Sequence, residues 1–189
     1  MPPVISIITP SYNQGEFIER TIQSVISQNI ISLEHLIVDG GSTDNTLKVL
    51  RQYDNQISWI SEKDDGQTDA INKGIIMTQG EIIGWLNSDD IYFADTVSSV
   101  IEYFEAHPHV DVVYGNAHHI GRNDEYIDNY PTEKWSYARL MDACFICQPA
   151  LFFRRRCVKK CGMLDRKLEY CMDYEYWLRL GTGWFQNVY

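Results

Sequence analysis

Short apolar runs alternate with amphipathic segments through the first 115 residues of the chain. The runs 4–9, 33–38, 57–61, 81–86 and 110–114 are typical of buried strands, because each is short and ends in a polar, glycine or proline turn. The segments 15–28, 42–53, 67–77 and 94–106 place apolar residues at helical spacing. This alternation predicts an α/β fold with a mostly parallel central sheet and helices on both faces.

Four of the predicted strands run into polar loops at 10–13, 39–42, 62–66 and 87–90. In sheets of this kind, ligands bind beyond the carboxyl ends of the strands. We therefore expect these four loops to share one edge of the sheet and to form the binding site.

After residue 115 the alternation weakens, although further elements are indicated. Residues 115–131 predict a loop or hairpin, 135–141 a short helix, 150–153 a strand and 172–180 a helix. A further strand signal begins at Phe185 and runs to the last residue, Tyr189. A domain rarely ends inside a strand, so we predict one domain over 1–189 that is truncated at its C-terminus.

The net charge of −10 excludes a nucleic-acid partner, because an acidic chain repels a polyanion. No apolar run reaches the roughly 18 residues that span a bilayer, and the first residues carry no basic leader, so we expect a cytoplasmic location. A basic cluster at Arg154–Arg156 and Lys159–Lys160 has two interpretations. It is a solvated helix face, or it contacts anionic lipid at the inner face of the membrane.

Five cysteines occur at positions 144, 147, 157, 161 and 171. An odd number without an export signal favours reduced thiols. The spacing of the first four also permits a zinc knuckle, although the apolar residues between Cys144 and Cys147 favour thiols packed under the core.

The adjacent carboxylates Asp89 and Asp90 follow the fourth predicted strand. Neighbouring carboxylates repel each other, and a hard cation such as Mg²⁺ or Mn²⁺ relieves that repulsion while sharing a diphosphate. The alternative is a turn that caps the next helix. The other polar loops at the same edge favour the cation site.

Three more residues at this edge have both a binding and a structural interpretation. Asp39 can accept the imide N–H of uracil or thymine, or form an Asx turn beside Gly40. Tyr12 can stack on a base or cover the edge of the core. Lys73 can pair with phosphate or remain a solvated helix residue. The sequence contains no Walker lysine loop and no Gly-x-Gly-x-x-Gly.

Six strings, in order along nearly the whole chain, resemble the inverting glycosyltransferases of family two with the GT-A fold, which often belong to cell-envelope polysaccharide loci. The strings are TPSYNQ (9–14), VDGGSTDNT (38–46), DGQTDAINKG (65–74), WLNSDD (85–90), QPALFF (148–153) and MDYEYWLRL (172–180). The resemblance implies a Rossmann-like nucleotide-sugar-binding half at 1–115 and an acceptor-side half at 116–189.

The resemblance also assigns roles to residues of the donor site. It implies that Asn87-Ser88-Asp89 occupies the Asp-x-Asp metal motif, with Asp89 as the principal metal ligand and Asp90 contacting sugar or phosphate. The chain departs from the motif at Asn87, which carries no charge but can hydrogen-bond ribose. The remaining donor residues implied are Pro10 and Tyr12 around the base, Asp39 reading uracil, and Asp65, Asn72 and Lys73 lining the nucleotide pocket.

For the acceptor side, the resemblance implies a carboxylate base near the start of the late helix. Asp173 fits that position best, and Glu175 is the competitor. Two residues apart on a helix, they point in different directions. Gln148 matches an acceptor-side position.

We therefore predict transfer of a sugar from a UDP- or dTDP-sugar to an acceptor hydroxyl, with inversion and with Mn²⁺ or Mg²⁺. The acceptor is a glycan or a lipid-linked sugar. Two alternatives are a non-catalytic nucleotide-sugar-binding module and a sugar nucleotidyltransferase. The second needs a glycine-rich basic loop after strand one, whereas the loop here has no Lys or Arg before Arg20.

Overall fold

The computed structural model describes residues 4–182. Six strands form one sheet: β1 (Ile5–Ser11), β2 (Leu33–Asp39), β3 (Ser58–Ser61), β4 (Ile82–Trp85), β5 (Val112–Tyr114) and β8 (Leu151–Arg154). Strands β6 (His118–Ile120) and β7 (Tyr126–Asn129) form a separate hairpin. The helices are α1 (Ile18–Ile26), α2 (Thr46–Gln52), α3 (Gln67–Met77), α4 (Thr96–Ala106), α5 (Tyr137–Asp142), α6 (Arg156–Cys161) and α7 (Met172–Gly181), with a 3₁₀ turn at Gln148–Ala150.

The order of strands across the sheet is β3-β2-β1-β4-β8-β5. Strands β1 to β4 pair in parallel, and β8 runs antiparallel to both of its neighbours, β4 and β5. This confirms the predicted mostly parallel sheet. The chain moves outward from β1 to β3 and then crosses to the other side of β1 to form β4. The carboxyl ends of β1 and β4 therefore flank the crevice where such sheets bind ligands.

Helices cover both faces of the sheet, as predicted. On one face, α1, α2 and α4 pack on β1, β2 and β4 through residues such as Ile22, Leu50 and Phe104. On the other face, α3, α5, α6 and α7 pack around Trp85 and Trp177. A methyl group on Gly74 of α3 would lie 2.3 Å from Ile8, so only glycine allows α3 to approach β1 this closely.

Strand β1 continues through Pro10, where the sequence predicted its end. The carbonyl of Ile8 accepts a hydrogen bond from Leu86, which fixes the side of β1 that faces β4. The backbone groups of residue 10 face the same side as those of Ile8, because alternate residues of a strand share a side. Pairing between β1 and β4 ends at Ile8, so β4 does not extend beside residue 10. The missing N–H of Pro10 therefore leaves no carbonyl of β4 without a donor.

Beyond β5, the predicted hairpin, short helix, strand and late helix all form, with bounds that differ by one to a few residues. The strand signal at 185–189 lies outside the described residues. The five cysteines are free thiols, and the described part of the chain contains no cluster of His, Cys, Asp or Glu suited to a metal, so the zinc knuckle is not formed there. Within residues 4–182, no helix is both long and apolar enough to cross a membrane.

The arginines of the basic cluster bind the protein itself. Arg154 is 7% exposed, donates to the carbonyls of Val110 (2.9 Å) and Phe104 (2.7 Å), and pairs with Glu81. Arg155 donates to the carbonyls of Gly80 and Ile75, each at 2.6 Å. Arg156 pairs with Asp111 and donates to Pro108. These three side chains therefore hold chain segments together, and contact of the basic cluster with lipid stays a prediction.

A buried histidine in β2 makes stability depend on pH. One ring nitrogen of His35 lies 3.0 Å from the hydroxyl of Thr9, the other has no partner among the described residues, and burial lowers the pKa of His35 from 6.5 to about 3. Below pH 6.5 the unfolded chain binds a proton that the folded chain does not, so stability falls as pH falls. We expect a loss of about 2 kcal/mol between pH 7 and pH 5 from this residue, measured by urea unfolding at both values.

A His35→Gln variant is the matched control for this pH dependence. Other titrating groups, including the carboxylates, contribute equally to both proteins, so the difference between them isolates His35. The same loss of stability on acidification in both proteins would contradict the assignment.

Candidate active site

Two cavities open at the carboxyl edge of the sheet and share the side chain of Asp89. The first, which we call the β1–β4 cavity, has a volume of about 630 Å³ and sits at the crevice between those strands. Its lining residues come from all four predicted polar loops and the start of α3: Pro10, Ser11, Tyr12, Gln14, Gly40, Lys63, Asp64, Gly66, Gln67, Ala70, Asn87, Ser88 and Asp89. The predicted common edge is thus formed, and it brings Pro10, Tyr12, Asn87 and Asp89 together.

The loops after β1 and β2 are fastened to each other, which fixes one wall of this cavity. The side chain of Asn13 accepts from the amide of Thr43 (2.9 Å), and the amide of Asn13 donates to Ser42 (2.7 Å). Asp44 accepts from the amides of Gly15 and Thr46, both at 2.9 Å. Tyr12 comes directly before these anchors and keeps an exposed ring at the cavity.

Asp39 is fully buried and directly precedes Gly40, which lines the cavity. Its carboxylate accepts from the amides of Gly41 (3.1 Å) and Ser42 (2.9 Å) and from the hydroxyls of Ser42 (2.5 Å) and Ser61 (2.6 Å). Gly41 has a φ of +84°, a conformation that favours glycine and turns its amide toward the carboxylate. The Asx-type turn considered from the sequence is therefore present, and the role of Asp39 toward a base stays a prediction.

Asn87, at the β4 end of the cavity, forms hydrogen bonds with neighbouring elements. Its side-chain oxygen accepts from Gln67 (2.7 Å) and from the indole of Trp85 (2.8 Å). Its side-chain amide also opposes the rise in the pKa of Asp90. An aspartate at this position has no hydrogen to donate and would add a third carboxylate to the turn. Asparagine at position 87 thus favours the ionised form of Asp90, which an aspartate there would oppose.

The two acidic residues of the turn have different environments. The carboxylate of Asp89 is exposed and makes no hydrogen bond or ion pair with any residue in 4–182. Asp90 is largely buried, and this burial, reinforced by the charge of Asp89, raises the pKa of Asp90 to about 6. A cation bound between them would lower the energy of the doubly ionised pair.

Three of the predicted nucleotide-site residues have their side chains engaged outside the β1–β4 cavity. Asp65 is exposed and pairs with Arg166 (2.6 Å). Asn72 is buried, and its amide group both donates to and accepts from the backbone of Leu164. Lys73 pairs with Glu62 (2.8 Å) and Asp69 (3.3 Å). The segment reaches the cavity instead through Gly66, Gln67 and Ala70, and nucleotide contacts by Asp65, Asn72 and Lys73 stay predictions.

Sequence reasoning did not single out Gln14, Lys63 and Gln67 as individual site residues. Among the described residues lining the β1–β4 cavity, Lys63 is the basic one, and its side chain makes no ion pair in the described region. The signal was present, because Lys63 lies in the polar loop after β3. The family resemblance instead favoured Lys73 of α3, because Lys73 belongs to the string DGQTDAINKG.

The second cavity, which we call the hairpin cavity, has a volume of about 690 Å³ and lies on the other side of Asp89. It is bounded by α4, the loop after β4 and the β6–β7 hairpin, and Asp89, Asp90 and Cys147 line it. Burial raises the pKa of Cys147 to about 12, with further contributions from the negative charges of Asp90, Cys144 and Asp173. The charges of Asp90 and Asp173, which lie on two different elements, thus both act on the same thiol.

Asp173 and Glu175, the two candidates in the late helix, are used differently. Glu175 forms a two-point ion pair with Arg179 at 2.5 and 2.8 Å. Asp173 makes no hydrogen bond or ion pair with any described residue, and its charge acts on Tyr130 and Cys147, which line the hairpin cavity. This arrangement leaves Asp173 as the available carboxylate.

Gln148 is anchored beside the acidic turn. Its side-chain nitrogen donates to the carbonyl of Trp85 at 2.6 Å. Its side-chain oxygen is buried and has no partner among the described residues. The position lies next to Cys147 and Pro149, which line the hairpin cavity, and an acceptor role for Gln148 stays a prediction.

The sheet order, with its crevice between β1 and β4, is that of the GT-A fold, and solved structures agree on this fold. TarS from S. aureus superposes with a TM-score of 0.75 at 21% identity, covering 95% of this chain and 55% of that one. A mannosyltransferase from Pyrobaculum calidifontis, solved with GDP-Man and Mn²⁺, superposes with a TM-score of 0.69 at 19% identity, covering 93% of this chain and 51% of that one.

The chain belongs to glycosyl transferase family 2, whose model matches residues 6–162. A chondroitin synthase from Escherichia coli is 31% identical over 98% of this chain. The chain spans 28% of that synthase and 62% of an uncharacterised glycosyltransferase from Rickettsia typhi, which is 27% identical over 98% of this chain. TarS has also been solved with UDP and with UDP-GlcNAc.

Proposed function

We propose that this chain transfers a sugar from a UDP- or dTDP-sugar to an acceptor hydroxyl, with inversion, in the synthesis of a cell-surface polysaccharide. The observation that carries the proposal is the pair of cavities that meet at Asp89. A donor in the β1–β4 cavity and an acceptor in the hairpin cavity would meet at the acidic turn. The chondroitin synthase relative and the UDP complexes of TarS support the polysaccharide product and the donor class.

The β1–β4 cavity offers the groups that a nucleoside diphosphate requires. Tyr12 presents an exposed ring for stacking on the base. Lys63 places a cation in the same cavity for the diphosphate. Asp39 can accept the base imide if the exposed hydroxyl of Ser61 turns away, because that frees one acceptor site on a carboxylate that is otherwise fully bonded.

A divalent cation, Mn²⁺ or Mg²⁺, fits the acidic turn. The carboxylate of Asp89 is exposed and otherwise unpaired with described residues, and the burial of Asp90 beside it disfavours the doubly charged turn. Asp89 would hold the ion, and the diphosphate would complete its oxygen ligands, as hard cations prefer. When bound, the ion would neutralise the charge that grows on the departing diphosphate.

The proton of the acceptor hydroxyl would pass to Asp173. The hydroxyl oxygen forms a bond to the anomeric carbon, the bond from that carbon to the diphosphate oxygen breaks, and its electron pair leaves with the nucleoside diphosphate. Since Glu175 is committed to Arg179, Asp173 is the carboxylate left to act as base. One base and one direction of attack give inversion.

Thermal shift with UDP, dTDP, CDP and GDP, each with Mn²⁺, tests the donor assignment. We expect UDP and dTDP to stabilise the chain more than CDP, because cytosine lacks the imide N–H that uracil and thymine offer to an acceptor at Asp39. We expect them to stabilise it more than GDP as well, because guanine carries its ring N–H on a larger bicyclic base, in a different position. Donor hydrolysis with UDP-sugars, with Mn²⁺ or with EDTA, then tests catalysis. No stabilisation by any nucleotide would overturn the proposal, and binding without turnover would favour a non-catalytic module.

A further inference from the structure

The β6–β7 hairpin is fixed against α1, although it pairs with no other strand. Arg20 of α1 forms an ion pair with Asp124 and donates to the carbonyl of Arg122 at 3.0 Å. Arg122 in turn pairs with Glu16 at 2.5 Å. These contacts across more than 100 residues of sequence hold the hairpin as a wall, so the space beneath it is a formed cavity.

The floor of the hairpin cavity is apolar but contains one unsatisfied polar group. Val100, Val113 and Phe152 line it together with Tyr92, which is 8% exposed. The hydroxyl of Tyr92 is buried and has no hydrogen-bond partner among the described residues. A buried hydroxyl without a hydrogen-bond partner costs free energy, so the floor of this cavity carries a destabilising group.

Three aromatic side chains stand at the outer edge of the same cavity. The ring of His118 lies 4.9 Å from that of Phe93 and 5.0 Å from that of Tyr126, edge-on in both cases. Phe93 is 53% exposed and Tyr126 is 59% exposed. Phe93 and His118 line the cavity, and Phe93 follows Asp90 by three residues. Aromatic rings clustered in water beside a cavity mark a binding surface.

The chemistry of this edge matches a sugar ring. A pyranose has a face of slightly positive C–H groups, which packs on the negative face of an aromatic ring, and a rim of hydroxyls that needs hydrogen bonds. Asn116 lines the cavity near the rings, and Asn129 lies opposite His118 in the hairpin, so amide groups border the aromatic surface. A lipid chain would gain nothing from these amides and from the imidazole.

We propose that Phe93, His118 and Tyr126 form a subsite for a sugar of the acceptor other than the one that receives the transferred residue. The inference rests on the proposed function and deepens it, because it makes the acceptor an oligosaccharide or growing glycan. Its reacting end would lie at Asp90 and Asp173, and its next sugar would pack on the aromatic edge.

Glycan binding by a Phe93→Ala/Tyr126→Ala variant tests this subsite. The probes are chito-, malto- and chondroitin oligosaccharides, each beside its own monosaccharide, measured by saturation-transfer NMR with UDP and Mn²⁺ present. Wild type should bind at least one oligosaccharide series more tightly than its monosaccharide. The double variant should lose roughly tenfold in that affinity, with monosaccharide and UDP binding unchanged. Ile76→Ala is the matched control, because Ile76 is 69% exposed on α3, which packs on the other face of the sheet.

The other outcomes overturn the inference. Equal oligosaccharide binding in the double variant and wild type would remove the aromatic subsite. UDP binding by the wild type without binding of any glycan would also reject it, while leaving the proposed donor site intact. A wild-type dimer that becomes monomeric in the double variant, seen by sedimentation velocity, would show a protein interface instead. If the wild-type chain does not bind UDP, both the proposed function and the subsite are refuted.

Discussion

An Asp173→Asn variant should transfer sugar roughly 10²- to 10⁴-fold more slowly than the wild-type chain, while its affinity for UDP stays the same. Asparagine keeps the size of the side chain but cannot take the proton of the acceptor hydroxyl. Nucleotide affinity should be unchanged because Asp173 acts on the hairpin cavity through Cys147 and Tyr130 and does not line the β1–β4 cavity. Product formation under saturating donor, with UDP binding measured by calorimetry, gives both quantities.

Glu175→Gln is the control for the loss of an acid from the same helix turn. Glu175 is partly exposed and engaged with Arg179, so its loss should change the transfer rate by no more than about threefold and stability by less than about 1 kcal/mol. Unchanged turnover in Asp173→Asn would remove Asp173 as the base. A large loss in Glu175→Gln alone would assign the role to Glu175.

An Asp89→Asn variant should lose roughly 10²- to 10³-fold in turnover and should no longer respond to Mn²⁺. The substitution keeps the shape of an exposed side chain that has no hydrogen-bond partner among the described residues, so the fold should be unaffected. What it removes is the charge that would hold the cation beside the diphosphate. Initial rates measured across a Mn²⁺ titration, together with the UDP-induced thermal shift with and without Mn²⁺, report both effects.

Asp95→Asn is the matched control for the removed charge. Asp95 is also exposed, lies six residues further along, and has a φ of +59°, a conformation that asparagine tolerates as well as aspartate. Its Mn²⁺ response should equal that of the wild type. A Mn²⁺ response that persists in Asp89→Asn would place the cation on other residues or show that turnover does not need it.

The parallel part of the sheet could be predicted from the sequence because its information is local. Each of the first strands is an apolar run that stops at a polar loop, and the carboxyl ends of parallel strands share one edge. That rule alone predicts that Pro10, Tyr12, Asn87 and Asp89 lie close together, and all four line one cavity. Resemblance to the family supplied Asp173, which no spacing rule connects to an acidic turn more than 80 residues earlier.

Several side-chain contacts and one strand position could not be predicted, because they depend on pairings between residues far apart in the sequence. The bonds between Asn72 and Leu164, or between Arg155 and the carbonyls near Gly80, join positions whose separation leaves no periodic signal. The basic run at Arg154–Arg156 was therefore open to a surface interpretation, although its guanidinium groups bind backbone carbonyls. The position of β8 between β4 and β5 could not be predicted either, because an apolar run indicates a strand but not the strands with which it pairs.

That place of β8 limits how enzymes of this kind can be recombined. Residues Leu151–Arg154 come from the half that was predicted to face the acceptor, yet they pair with Ile82–Gly84 on one side and with Val112–Tyr114 on the other. A chimera joined near residue 115 would exchange an interior strand along with the β6–β7 hairpin, and the new strand would have to fit against Gly84, where Ile7 and Phe152 leave no room for a side chain. Grafts that preserve Leu151–Arg154 and exchange the hairpin alone would leave the sheet intact and would test whether the hairpin sets acceptor preference.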